Sequence, residues 1–208
     1  MTTEAIRPPV LRAIVLAAGA GARFGGGKLL APWRQGLLIE AALDAAFAAP
    51  VRSVILVTGA DEGVMPVALE HALSEGEAGR LTIVEARDHA EGMAASLRAG
   101  VAALPADTDG VFVFLGDMPL IPDPVPPALA RALAGGAAAA VPVFEGRRGH
   151  PVLLGRSLFG DLLGLTGDQG ARAVLASLGD RVAAVPAESA GVLYDVDTPE
   201  ALDAPPRT

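Results

Sequence analysis

The stretch Leu16-Ala17-Ala18-Gly19-Ala20-Gly21-Ala22-Arg23-Phe24-Gly25-Gly26-Gly27-Lys28 gathers five glycines and two cations behind a short apolar run. That mixture suits a polyanion. Glycines let the main chain come close and point its N–H groups at phosphate oxygens. Arg23 can fork two oxygens at once, while Lys28 is a movable point charge. Three other readings compete. A dinucleotide-binding turn fits Gly19-Ala20-Gly21, but its third glycine falls one place late, at Gly25. The second predicted strand ends Val57-Thr58-Gly59, without the acid that holds a ribose; Asp61 lies a little beyond and Glu40 is on a helix. A P-loop needs Ser or Thr after its lysine, and here Leu29 follows Lys28. A purely structural turn explains one or two glycines, but not this set beside Arg23 and Lys28. The segment therefore predicts a grip on a nucleoside triphosphate.

A second feature is Asp117, in Gly116-Asp117-Met118-Pro119, directly after the most apolar run of the chain. A carboxylate at the carboxyl end of a buried strand is a natural anchor for Mg²⁺, which takes oxygen ligands, keeps several waters and needs only one or two carboxylates. A plain turn aspartate ahead of proline is the competing explanation. His71, inside a predicted helix, and His89, in the run before Gly92, receive no role.

The elements that must position these groups follow from hydrophobic periodicity. Strands are predicted at Ala13–Ala17, Ser53–Thr58, Leu81–Glu85, Val111–Leu115, Ala138–Phe144, Pro151–Leu154, Val182–Val185 and Val192–Tyr194. Helices are predicted over Leu37–Ala48, with Glu40 and Asp44 on its wet face, and up to about Ser74 with Pro66 in its first turn. Another runs from Gly92 to Leu104 with Met93, Leu97, Val101 and Leu104 on one face. Further helices cover Pro127–Ala134 and two short segments, the second striped by Ala171, Val174, Leu175 and Leu178; a last one opens at Thr198-Pro199-Glu200. Alternation of this kind implies a mostly parallel sheet with helices on both faces, and ligands beyond the carboxyl ends of its strands.

Composition narrows the partners. The 208 residues suit one domain, expected over 10–204 with flexible tails at 1–9 and 205–208. The hydrophobic fraction is 51%, yet no apolar run approaches the ~20 residues that span a bilayer, and no signal-peptide core precedes Pro9. A cytoplasmic protein without membrane contact is expected. A net charge of −8 argues against a nucleic-acid partner, and the absence of cysteine removes disulfides, thiolate metal sites and cysteine nucleophiles.

The pattern Leu16-Ala17-Ala18-Gly19-x-Gly21-x-Arg23-Phe24-Gly25-x-x-Lys28 resembles the signature of the MobA-like nucleotidyltransferases, the molybdenum cofactor enzymes and their kin. The resemblance runs from about Ala13 to Leu202. It implies a three-layer α/β/α, Rossmann-like (GT-A-like) fold, in which the backbone near Leu16, Ala17, Ala18 and Gly19 meets the base, with Thr58 nearby. Arg23 and Lys28 would lie along the phosphates, and Asp117 would match the family's magnesium-binding aspartate, with Mn²⁺ as a substitute for Mg²⁺. Asp195-Val196-Asp197-Thr198-Pro199-Glu200 resembles the terminal segment that returns to the site. Asp195 and Asp197 are both metal candidates; one of them, or Thr198, is equally a helix cap, and strand alternation points both aspartates the same way. Ala22 stands where serine or threonine is common, which leaves phosphate contacts there to the main chain.

The double alanine Ala17-Ala18 resembles the branch that uses pyrimidine nucleotides, and Gly92-Met93-Ala94-Ala95-Ser96-Leu97 resembles its cytidylyltransferases. Gly92 and Ser96 would share one flank of a helix, Ser96 bonding either the base or its own helix. Gly146-Arg147-Arg148-Gly149-His150-Pro151 and Gly167-Asp168-Gln169-Gly170-Ala171-Arg172 resemble the elements of the molybdopterin cytidylyltransferase that face the acceptor. Gly149, His150 and Arg172 are the acceptor residues so implied, and Arg147-Arg148 is equally a solvated hairpin tip. The implied reaction transfers CMP from CTP to the phosphate of molybdopterin or the molybdenum cofactor, for a molybdoenzyme of the xanthine dehydrogenase type. Transfer to another phosphorylated acceptor on the same fold, and a maturation chaperone that binds the cofactor without turnover, are the alternatives.

Overall fold

The computed structural model describes residues 7–19, 21–168 and 170–203; Ala20, Gln169, the Ala22 side chain and most of the two expected tails lie outside it. Its first strand, β1 (Leu11–Ala17), is almost wholly buried and pairs in parallel with two neighbours. On one side lies β4 (Val54–Thr58), followed by the edge strand β5 (Leu81–Glu85). On the other lies β6 (Gly110–Leu115). Because the chain leaves β1 toward β4 and returns to its other flank as β6, the sheet reverses direction beside β1. That is where open α/β sheets place a ligand. The loops after β1 and β6 carry Gly19–Lys28 and Asp117.

Beyond β6 the sheet continues through β9 (Val152–Gly155), β7 (Ala139–Phe144) and β10 (Val182–Pro186). β9 runs antiparallel to both neighbours, and the two-residue β8 (Arg147–Arg148) folds back on β7, so the sheet is mixed but mostly parallel. Arg147 and Arg148 are exposed on that hairpin arm.

Two cores sandwich the sheet. One gathers under α1 (Leu38–Ala48), α2 (Val64–Ser74) and α4 (Val125–Ala134). The other lies under α3 (Met93–Ala102), α5 (Phe159–Leu163) and α6 (Gly170–Ser177). The result is the expected three-layer α/β/α fold. Leu38, Ile39, Ala42, Leu43, Ala46 and Phe47 form the buried stripe of α1, each large member contributing about 2 kcal/mol by burial. Glu40 caps this helix by accepting the Leu37 N–H at 2.7 Å.

Two local expectations are corrected, and one element is new. Val192–Tyr194 is not a strand, because residues 190–193 close a 3-10 turn that begins on Ser189. Met93 does not join the apolar stripe of α3; it is 45% exposed, facing the loop at Gly170, while Leu97 and Val101 are buried. A small hairpin of β2 (Pro32–Trp33) and β3 (Gly36–Leu37), absent from the sequence reading, precedes α1. Its Trp33 ring stacks near Tyr194 at 6.2 Å, tying the hairpin to the terminal segment. Tyr194 in turn donates its hydroxyl to the Ala201 carbonyl in α7 (Pro199–Asp203). At the opposite end of the sheet, buried Arg12 is bound to Thr108 and Asp107, and Arg7 to Asp109.

Candidate active site

Beyond the carboxyl ends of β1 and β6 lies a cleft of about 310 Å³. Leu16, Ala17, Ala18 and Gly19 line it together with Lys28 and Asp117 and with Gly92 and Ser96. Residues chosen from three separated stretches of sequence thus meet in one cavity. The glycine loop curls over Lys28, with Gly21, Gly25, Gly26 and Gly27 all at positive φ. A Cβ on Gly21 would press on Lys28 Cβ at 3.1 Å, so the close turn there needs glycine.

Charge is concentrated around Lys28. Lys28 Nζ lies 2.6 Å from Asp117 Oδ2 and 3.4 Å from Asp197 Oδ1. Arg23 reaches the other oxygen of Asp197 at 2.6 Å. Two carboxylates therefore converge on one cation, and the terminal segment supplies one of them. Asp197 comes to Lys28, whereas Asp195 is exposed and pairs with neither cation, so the candidacy of Asp195 as a metal ligand is not supported by the geometry. The reason is local. Val196 is fully buried and its N–H donates to the Asp117 carbonyl at 3.0 Å, which anchors the segment so that its next residue, Asp197, faces the loop.

The donor set of this pair is hard oxygen, as Mg²⁺ or Mn²⁺ requires. The Lys28 ammonium already occupies a point that both carboxylates reach, so the residues present fit a divalent cation. Among the described residues no cluster of three or more carboxylates or imidazoles of metal-binding geometry occurs. Two protein ligands plus substrate oxygens and water suit magnesium.

The region around Gly149 and His150 is built by segments that lock together. Gly149 N donates to the Pro142 carbonyl and His150 N to that of Val192, both at 2.8 Å. A Cβ on Gly149 would collide with the Val192 carbonyl, and one on Gly191 with that of Leu120. His150, joined to Pro151 by a cis peptide, is close enough to Asp117 and Arg172 to feel both charges. Burial lowers the imidazole to about 4; the Asp117 charge opposes that shift and the Arg172 charge adds to it. His150 is thus neutral near pH 7, and exposed Arg172 on α6 carries the positive charge on this side. Gly149→Ala should cost about 1–3 kcal/mol of stability. It should also displace His150, with the loss read as a lower melting temperature and lower turnover; an unchanged melting temperature would contradict the close packing.

Thr58 is not in the cleft wall. It is buried behind it, and its carbonyl holds the N–H of Ala86 at 2.8 Å, so it supports the loop before α3. Of the polar wall residues, His89 received no role in the sequence, and Asp168 figured there only within the loop resembling an acceptor element. Asp168 reaches the cleft because the Gly167 carbonyl accepts the N–H of Ala94 at the start of α3. Nothing in the spacing around His89 signals its place in the wall, and the resemblance at Asp168 does not place it beside Gly92, since docking of one loop on another is a long-range event. A wider groove of about 1210 Å³ lies on the other side of Pro119–Pro122, between α1 and the β2–β3 hairpin.

A family model described as the MobA-like NTP transferase domain matches residues 13–182. The molybdenum cofactor cytidylyltransferase of Escherichia coli (strain K12) is 28% identical over 187 residues, 90% of this chain and 91% of that protein. The purine catabolism protein PucB of Bacillus subtilis (strain 168) is 31% identical over 203 residues, 95% of this chain and 97% of that one. Among solved structures, a manganese complex of Rv0371C from Mycobacterium tuberculosis H37Rv superposes with a TM-score of 0.68 at 26% identity, covering 95% of this chain and 97% of that chain.

Proposed function

The chain belongs to the MobA-like NTP transferase family and is a nucleotidyltransferase, and on that premise we propose that it transfers CMP from CTP to the phosphate of molybdopterin or its molybdenum form. The observation that carries this reading is the single cleft joining the Ala17-Ala18-Gly19 backbone, Lys28, Asp117 and Ser96. The E. coli relative, named for this activity, supports the choice of acceptor.

In this mechanism the acceptor phosphate oxygen attacks the α-phosphorus of CTP. A P–O bond forms as the bond to the β-phosphate bridging oxygen breaks, and pyrophosphate leaves. The attacking group is already an anion, so the protein mainly positions it and offsets charge. Asp117 and Asp197 would hold Mg²⁺, with Mn²⁺ as substitute; when bound, the ion offsets phosphate charge and polarises the reacting phosphoryl group. Arg23 and Lys28 exchange their carboxylate partners for the β- and γ-phosphates. Neutral His150 supplies a hydrogen bond rather than a charge, and Arg172 attracts the acceptor phosphate. Ser96 and the Ala18–Gly19 backbone take the base.

The B. subtilis relative, named for purine catabolism, favours delivery of the product to a molybdoenzyme of the xanthine dehydrogenase type. No described helix is long and apolar enough to cross a membrane; the site calls on neither lipid nor nucleic acid, and we place the protein in the cytoplasm. Pyrophosphate release should be measured with CTP, GTP, UTP and ATP against molybdopterin, a sugar phosphate and methylerythritol phosphate. Turnover confined to CTP with molybdopterin is expected. Equal turnover with another acceptor would overturn the acceptor assignment, and cofactor binding without pyrophosphate release would favour a carrier instead.

A further inference from the structure

We propose that His89 distinguishes cytosine from uracil by accepting a hydrogen bond from the amine on C4 of the base. The inference rests on the cytidylyl reading above and names a side chain within that site which no part of that reading uses.

The argument begins with a fixed tautomer. Ala86 is buried at 2% exposure, and its carbonyl accepts both the backbone N–H of His89 at 3.0 Å and the ring Nδ1 at 2.9 Å. A carbonyl has no proton to give, so the proton of the neutral ring sits on Nδ1 and Nε2 carries the lone pair. The turn itself is held: Ala86 N donates to Thr58 O, and Gly92 N closes on His89 O at 3.1 Å. Nε2 has no hydrogen-bond partner among the described residues. The sequence around His89 therefore builds a preset acceptor, and the half-buried ring lines the cleft.

The position within the cleft assigns its partner. Phosphates must go where Lys28 lies. The proposal assigns the base to the part of the same cleft that His89, Gly92 and Ser96 line. Ser96 is 6% exposed, and its hydroxyl makes no hydrogen bond within the described chain, so it is free to serve O2 or N3 of a pyrimidine. Asp168, at the mouth beside Gly92, adds another acceptor-only group when ionised. Cytosine presents an amine at C4, a donor. Uracil presents a carbonyl there, which would place two lone pairs against each other. A site that hydrogen-bonds one substrate group rejects an analogue lacking it strongly, so a preference for CTP over UTP of about 10²-fold or more is expected.

The test separates recognition from support of the turn. His89→Asn keeps an amide N–H near Nδ1 for the Ala86 carbonyl and deletes the atom facing the base. The ratio of kcat/KM for CTP to that for UTP should fall at least about tenfold. His89→Gln, whose amide can turn either face to the base, should raise the UTP rate toward that of CTP. If a variant lowers both nucleotides together and leaves the ratio intact, His89 only supports the turn and the proposal fails. Direct calorimetric binding of CTP and UTP, on samples that melt like wild type, gives the same ratio independently of turnover. A wild-type enzyme that uses UTP as well as CTP would overturn the cytidylyl reading itself. A wild-type preference that survives His89→Asn overturns this proposal alone.

Discussion

Asp117→Asn is expected to release pyrophosphate about 10³-fold more slowly than wild type while melting almost normally. The asparagine has nearly the shape of the aspartate, and its amide oxygen can still accept from Lys28 Nζ. Asp197 also remains beside that ammonium, so no cation is stranded in the partly buried site. The backbone bond from Val196 N to the residue 117 carbonyl does not depend on the side chain. What is lost, in the proposed mechanism, is one of the two anionic oxygen ligands, and with it tight binding of a hard divalent cation. Two readouts should move together: turnover with saturating CTP, and Mn²⁺ affinity by titration. A variant with normal Mn²⁺ binding and normal turnover would return Asp117 to the rank of a turn residue.

The parts of this site that were legible in sequence are those fixed by short-range rules. A buried strand ending in small and left-handed residues makes the glycine loop predictable, and the structure places Gly21, Gly25, Gly26 and Gly27 at positive φ. The same holds for Asp117, which follows a strand whose first five residues are fully buried. Periodicity located the helix α1 and the stripe of α6 for the same reason. It failed at Met93, the first residue of α3, which lines the cleft and is 45% exposed instead of joining a core.

Asp197 and Asp195 show the limit more sharply. Alternation gives both the same direction and cannot rank them. The choice is made by Val196, whose side chain is buried and whose N–H finds the Asp117 carbonyl across the fold. His89 was silent for a related reason. A lone histidine acquires meaning only when a buried carbonyl fixes its tautomer and a distant loop completes the cavity around it.

Lys28→Met should act in opposite directions on metal and nucleotide. The Lys28 ammonium lies 2.6 and 3.4 Å from oxygens of Asp117 and Asp197, at a point both carboxylates reach, so a divalent cation held by the two would compete with it. Methionine fills similar space with an unbranched apolar chain and removes the competitor. The two carboxylates then lose a shared counter-charge, and Arg23 offsets only Asp197, from a side chain that is 80% exposed. A unit charge near 4 Å is worth at most about 4 kcal/mol at an effective dielectric of 20. Solvent and Arg23 reduce that, so Mn²⁺ should bind the nucleotide-free variant about tenfold more tightly than wild type. CTP meets the reverse. Its triphosphate loses the cation that would follow it into the transition state, and kcat/KM should drop by about 10²-fold or more. A lysine that merely braced the loop would, when replaced, weaken metal and nucleotide alike. Opposite signs in the two titrations therefore identify Lys28 as a charge handed from carboxylates to phosphates, and parallel losses would refute that exchange.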